Sequence, residues 1–184
     1  MRLLCVLCTV VSLAVLLPAA AAPAAATLPP GFQQTAVLTG LDQPTAVRFA
    51  RDGRVFVAEK SGVVRVFDGL GDPTPAVWAD LSTQVHDFWD RGLLGMALAP
   101  DFPADPSIYV LYTYDADPNV PGDVPRYGRP GETGDGCPDP PATTSGCPAL
   151  GRLSRLTPPA GGGPAVEEPL VTGWCQQFQV HSVG

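Results

Sequence analysis

Three short polar clusters could carry chemistry in this 184-residue chain: Asp42-Gln43-Pro44, Asp90-Arg91-Gly92 and Val180-His181-Ser182. A histidine near its ordinary pKa takes up and releases a proton at neutral pH, the transfer that oxidation of an alcohol requires. His181 is therefore the candidate general base, and Asp90 and Arg91 are candidate substrate contacts. His86, in the loop ahead of Asp90, has no counterpart in the other clusters and reads as structural. Asp90 beside Arg91 also fits a plain solvated charge pair, the commoner fate of such neighbours. Trp89, Tyr109, Tyr112 and Tyr114 read as strand packing rather than as a sugar platform. No GxGxxG, phosphate-binding Gly-rich loop, GxSxG or HExxH occurs. Nucleotide-dependent and common hydrolytic mechanisms thus have no support in the sequence.

Each cluster stands just ahead of the first strand of a repeating strand group. Residues 45–49 (TAVRF) alternate in polarity, an Arg51-Asp52-Gly53 turn follows, and 54–58 (RVFVA) alternate again. Asp-Gly between two such runs is a hairpin signal. Ser61-Gly62 turns the chain into 63–67 (VVRVF), and 76–81 (AVWADL) completes four antiparallel strands, the size and order of one propeller blade. The pattern restarts with 93–98 (LLGMAL) and 108–114 (IYVLYTY), then 151–157 (GRLSRLT), with a fourth strand expected within 168–175. Residues 115–150, rich in Pro, Gly and Asp, read as an inserted surface loop. The expected fold is all-β: an incomplete propeller of about two blades and the threshold of a third. Residues 32–38 are expected to form a strand that closes the ring. The rival architecture is a β-sandwich of seven or eight strands. The propeller is preferred because the strand groups recur with the same internal turn order. The first strand of each blade lines the central channel, so clusters at its start converge on one mouth.

Residues 1–26 read as a signal peptide: Arg2, an apolar run over 3–17, a break at Pro18 and a small-residue end. The run is shorter than a membrane-spanning helix needs, so an anchor is the weaker reading. Cleavage after Ala22 and after Ala26 both fit. The product is expected to be secreted, extracellular or in the cell envelope, with no integral membrane segment after cleavage. Removing the leader takes away Arg2 alone among the charged residues, leaving 18 acids against 10 bases and a net charge of −8. A phosphate backbone would be repelled, so nucleic acid is not an expected partner. Cys137 and Cys147 bracket the inserted loop and are expected to close it as a disulfide in an oxidising compartment. Cys175 is then left over, and its partner is expected downstream of Gly184.

The stretches PTAVRFARDGRVFVAEKSGVVRVFD, DRGLLGMALAPDFPADPSIYVLYTY and GRLSRL, with the GLLG-x-A-x-x-PDF signature at residues 92–102, resemble the glucose/sorbosone dehydrogenase family. They are also similar to Hedgehog-interacting-like proteins of the same superfamily. The resemblance covers residues 41–184 apart from the inserted loop. It implies a six-bladed propeller that oxidises a sugar hydroxyl by hydride transfer to pyrroloquinoline quinone (PQQ). His181-Ser182-Val183-Gly184 matches the family's H-x-x-G motif, whose histidine removes the hydroxyl proton. Family enzymes carry a glutamine two residues before GLLG, where this chain has Asp90. That departure leaves open a secreted propeller that binds a protein or carbohydrate without oxidising it. Calcium is expected in the full-length parent, with its ligands and the quinone-contacting residues in later blades rather than in this chain. As a two-blade fragment the chain alone is expected to be inactive.

Overall fold

The computed structural model describes residues 28–115, 149–176 and 182–183. The chain divides into two compact units, residues 1–35 and 36–184. In the first, the described residues form a turn in which Phe32 N donates to Pro29 O at 3.2 Å. The second holds eight strands in two four-stranded sheets, and the described residues include no helix. Sheet A runs β1 (Pro44–Phe49), β2 (Val55–Glu59), β3 (Val63–Phe67), β4 (Ala76–Asp80). Sheet B runs β5 (Leu93–Leu98), β6 (Ile108–Tyr114), β7 (Ala149–Thr157), β8 (Val166–Gln176). Within each sheet, sequence order is spatial order and every pairing is antiparallel. Such up-and-down sheets packed face to face are successive blades of a propeller, and the fold is an incomplete β-propeller.

Alternation explains the core. Phe56, Ala58 and Val64 of sheet A face Leu93, Met96, Ile108, Val110, Tyr112 and Leu156 of sheet B in one buried cluster. Their neighbours one residue away point to the opposite face, as period-two geometry requires. Each fully buried side chain of this size contributes ~1.5–3 kcal/mol. Phe102, from the PDF triplet after β5, stacks edge-on against Phe56 at 5.3 Å, and Phe56 meets Trp78 at 5.1 Å. Arg54 lies 5.0 Å from the Phe102 ring centre. The signature triplet thus wedges the second blade against the first.

Three expectations shift. No strand forms over residues 32–38; Leu38 and Leu41 instead pack against Val55, Val57 and Phe67 on the outer face of sheet A. β7 starts at Ala149 and β8 runs from Val166 to Gln176, so the last hairpin is longer at both ends than its alternation signalled. Trp89 lies in the loop before β5 and is 59% exposed, so it is not strand packing. Tyr112 and Tyr114 are buried in the core, as expected of strand residues. Cys137, Cys147 and the leader lie outside the described residues, as does the inserted segment over 116–148.

Candidate functional site

The starts of β1, β5 and β7 and the ends of β2, β6 and β8 lie at one end of the two sheets. Pairings fix this: Pro44 opposite Glu59, Leu93 opposite Tyr112, and Ala149 opposite Gln176. The blades are joined here through backbone. Leu93 N donates to Lys60 O at 2.9 Å, and Thr45 Oγ1 donates to Leu93 O at 2.6 Å. Gly92 makes this junction possible. Its φ is +139°, and a Cβ there would sit 2.6 Å from Lys60 O. Only glycine tolerates both the angle and the approach.

Arg91 follows from that junction. It is fully buried, and its guanidinium ties the loop to two other elements. Nη1 donates to His86 Nδ1 at 3.2 Å, and Nη2 donates to the Gln176 carbonyl at 3.0 Å. A guanidinium can only donate, so His86 accepts at Nδ1 and carries its proton on Nε2. Burial, with the charges of Arg91 and Lys60, lowers the His86 pKa to about 3. His86 is therefore neutral at pH 7. Thr113 extends the network: its Oγ1 donates to Gln176 Oε1 at 2.9 Å, and its carbonyl accepts from His86 N at 2.9 Å. Lys60 Nζ donates to the Asp87 carbonyl. Buried charge of this kind is tolerable only where hydrogen bonds replace water.

A second polar group sits between the blades. Glu167 of β8 accepts from Tyr112 Oη and Ser154 Oγ, each at 2.5 Å, and from Gln84 Nε2 at 2.7 Å. Burial and this carboxylate push the Tyr112 hydroxyl far above its ordinary pKa. Gln84 belongs to the β4–β5 loop, and its carbonyl accepts from Asp115 N at 2.9 Å. The loop that carries His86, Asp90 and Arg91 is thus pinned at both ends.

The tip of that loop is a β-turn closed by Arg91 N donating to Phe88 O at 3.1 Å, with Trp89 at φ +55° and Asp90 beside it. Both side chains are exposed. Of the expected site residues, Asp90 and Arg91 stand at the common end, one facing water and the other facing inward. His181 lies outside the described residues. Its neighbour Val183 is seated over the start of β7, where a Cβ on Gly151 would lie 3.2 Å from Val183 Cγ2. Gln43, also at positive φ (+43°), occupies the same end ahead of β1, and its carbonyl accepts from Lys60 N at 3.0 Å. Trp89 stands at this end too, although the sequence placed it with the strand residues. Its place between Phe88 and Asp90, outside any alternating run, is the local signal that it belongs to a loop.

Residues 41–125 match the sequence model of the family described as Glucose / Sorbosone dehydrogenase. The Hedgehog-interacting protein of Mus musculus is 31% identical over 83 residues, 42% of this chain and 12% of that protein. Among solved structures, the PQQ-bound form of aldose sugar dehydrogenase from Streptomyces coelicolor aligns at a TM-score of 0.50 and 16% identity. That alignment spans 76% of this chain and 33% of the other, and shows the common fold. An oxidoreductase of Thermus thermophilus described as a glucose dehydrogenase aligns at a TM-score of 0.48 and 25% identity, over 76% of this chain and 31% of the other. The chain therefore spans about a third of the length of these solved structures. Among the described residues no group of three or more His, Cys, Asp or Glu side chains is placed to hold a metal ion. Lys60 and Arg91 are both turned to backbone carbonyls.

Proposed function

We propose that this chain, related to the Glucose / Sorbosone dehydrogenase family over residues 41–125, is the N-terminal part of a secreted PQQ-dependent sugar or aldose dehydrogenase. The observation that carries the proposal is the shared end of the sheets. Asp90 is exposed there ahead of β5, and Val183, two residues from His181, sits there against Gly151. In this reading His181 accepts the proton of the sugar hydroxyl being oxidised. Asp90 accepts hydrogen bonds from the substrate's other hydroxyls, and Arg91 backs the same turn from beneath. PQQ would supply a two-electron acceptor when bound. Cys137 and Cys147 close the inserted loop, and export follows from the leader.

The test is a substitution in the full-length parent. Replacing His181→Ala should lower sugar-dependent dye reduction by roughly 10²- to 10⁴-fold and leave quinone affinity unchanged. Unchanged turnover would remove His181 from the mechanism. A second reading is a secreted propeller that binds a protein or carbohydrate without oxidising it. It is favoured by Asp90 in place of the family's glutamine and by the similarity to the Hedgehog-interacting protein.

A further inference from the structure

The β4–β5 loop reaches the mouth along a borrowed edge of sheet B. β6 continues past the Leu93–Tyr112 pair that opens β5. Residues 84–86 lie beside that extension: Val85 pairs antiparallel with Tyr114, His86 N donates to Thr113 O at 2.9 Å, and Asp115 N donates to Gln84 O at 2.9 Å. So short a bridge does not choose its own register. A slip of one residue would move the loop about 3.3 Å and turn its side chains to the opposite face.

Side chains make the choice. Val85 enters the shared core, and the residues on either side of it turn to polar partners, Gln84 to Glu167 and His86 to Arg91. Arg91 belongs to the loop, so its bond to His86 travels with the loop. Farther along, Lys60 Nζ and Arg91 Nη2 hold the backbone carbonyls of Asp87 and Gln176. Carbonyls recur at every residue and discriminate no register. Glu167 stands on β8, and its carboxylate is located by Tyr112 Oη of β6 and Ser154 Oγ of β7, each donating at 2.5 Å. Three strands of sheet B thus define one acceptor, which Gln84 Nε2 meets at 2.7 Å. We propose that Glu167 is a positioning residue for the mouth: by clasping Gln84 it sets the register of the β4–β5 loop on β6, and with it the place of the turn over Phe88 to Arg91. This rests on reading that end as the site of sugar oxidation, and it names a residue of the outer strand that governs it.

Exchanging the two partners in the full-length protein tests it. Gln84→Glu sets two carboxylates against each other and should break the clasp. Gln84→Glu combined with Glu167→Gln should rebuild it with the roles reversed, because the amide then donates across the gap while its oxygen still accepts from Tyr112 and Ser154. In dye-linked oxidation of D-glucose, Gln84→Glu should raise KM roughly tenfold and leave kcat within about threefold, since His181 lies outside the loop. The double variant should return KM to within about threefold of the parent. Hydrogen exchange gives a readout without turnover. In Gln84→Glu the amides of His86, Thr113 and Asp115 should exchange faster while those of β2 keep the parent's rates, and the double variant should restore them. Glu168→Gln, whose carboxylate meets Arg155 at the surface, should match the parent in both measurements. A double variant no better than Gln84→Glu would overturn the clasp, as would exchange that rises in β2 as much as in the loop. Sugar oxidation with an unchanged KM in Gln84→Glu removes the clasp alone. Loop exchange restored by the double variant, in a protein that reduces no dye, keeps the clasp and removes the oxidation.

Discussion

His86 makes the sharpest residue-scale prediction. Its pKa drops from the ordinary 6.5 to about 3 in the folded protein, because it is buried beside Arg91 and Lys60. Above pH 6.5 it is neutral in both folded and unfolded chains and contributes nothing to pH dependence. As pH falls below 6.5 the unfolded chain takes up a proton that the folded one refuses, so stability declines between pH 6.5 and about 3. The full span corresponds to roughly 5 kcal/mol. Denaturant titrations at about pH 7 and about pH 4.5 should show a shallower loss for His86→Gln than for the parent. Parallel losses would mean that His86 is not held neutral. The residue scale is also where the sequence misled most. Asp90 and Arg91 read alike, as two substrate contacts or as a solvated pair, but the turn between them sends one side chain out and the other into the protein. Nothing in the local string encodes that, because it depends on Gln176 of β8 and on His86 arriving from other elements.

The elements themselves were legible, because two-residue alternation and Asp-Gly or Ser-Gly turns are local signals. β3, β5 and β6 fall on their expected residues, and β1, β2 and β4 shift by one residue at their ends. β7 and β8 extend further, with Ala149 opposite Gln176 at one end and Leu156 and Thr157 opposite Glu167 and Val166 at the other, because strand ends that border Pro- and Gly-rich stretches carry little alternation to mark them. The GLLG-x-A-x-x-PDF signature reads at this scale as blade-to-blade attachment. Gly92 lies on Lys60, Leu93 and Met96 fill the shared core, and Phe102 wedges against Phe56. Gly92→Ala should therefore destabilise the protein by roughly 3 kcal/mol. A Cβ there meets Lys60 O at 2.6 Å, while at Gly71 it meets nothing within 4 Å. Gly71→Ala should stay within about 0.5 kcal/mol of the parent. Equal midpoints for the two variants in thermal unfolding would sink this account of the motif.

At the scale of the whole molecule, the outer faces of both sheets carry exposed apolar side chains. Sheet A presents Val47, Phe49 and Val77, and sheet B presents Val166 and Trp174. Their pairing places them opposite the shared core, where each sheet would meet another layer in a propeller. The end that gathers Trp89, Asp90 and the residues flanking His181 is then a mouth toward which other blades would add groups. That assembly is the premise of quinone-dependent sugar oxidation. Spectrophotometric titration of the full-length protein with PQQ and calcium, followed by addition of an aldose and a redox dye, tests it most directly. A saturable change in quinone absorbance followed by aldose-dependent dye reduction is the predicted result. A flat titration and no dye reduction, in a protein that still binds saccharide or a protein ligand, would contradict it.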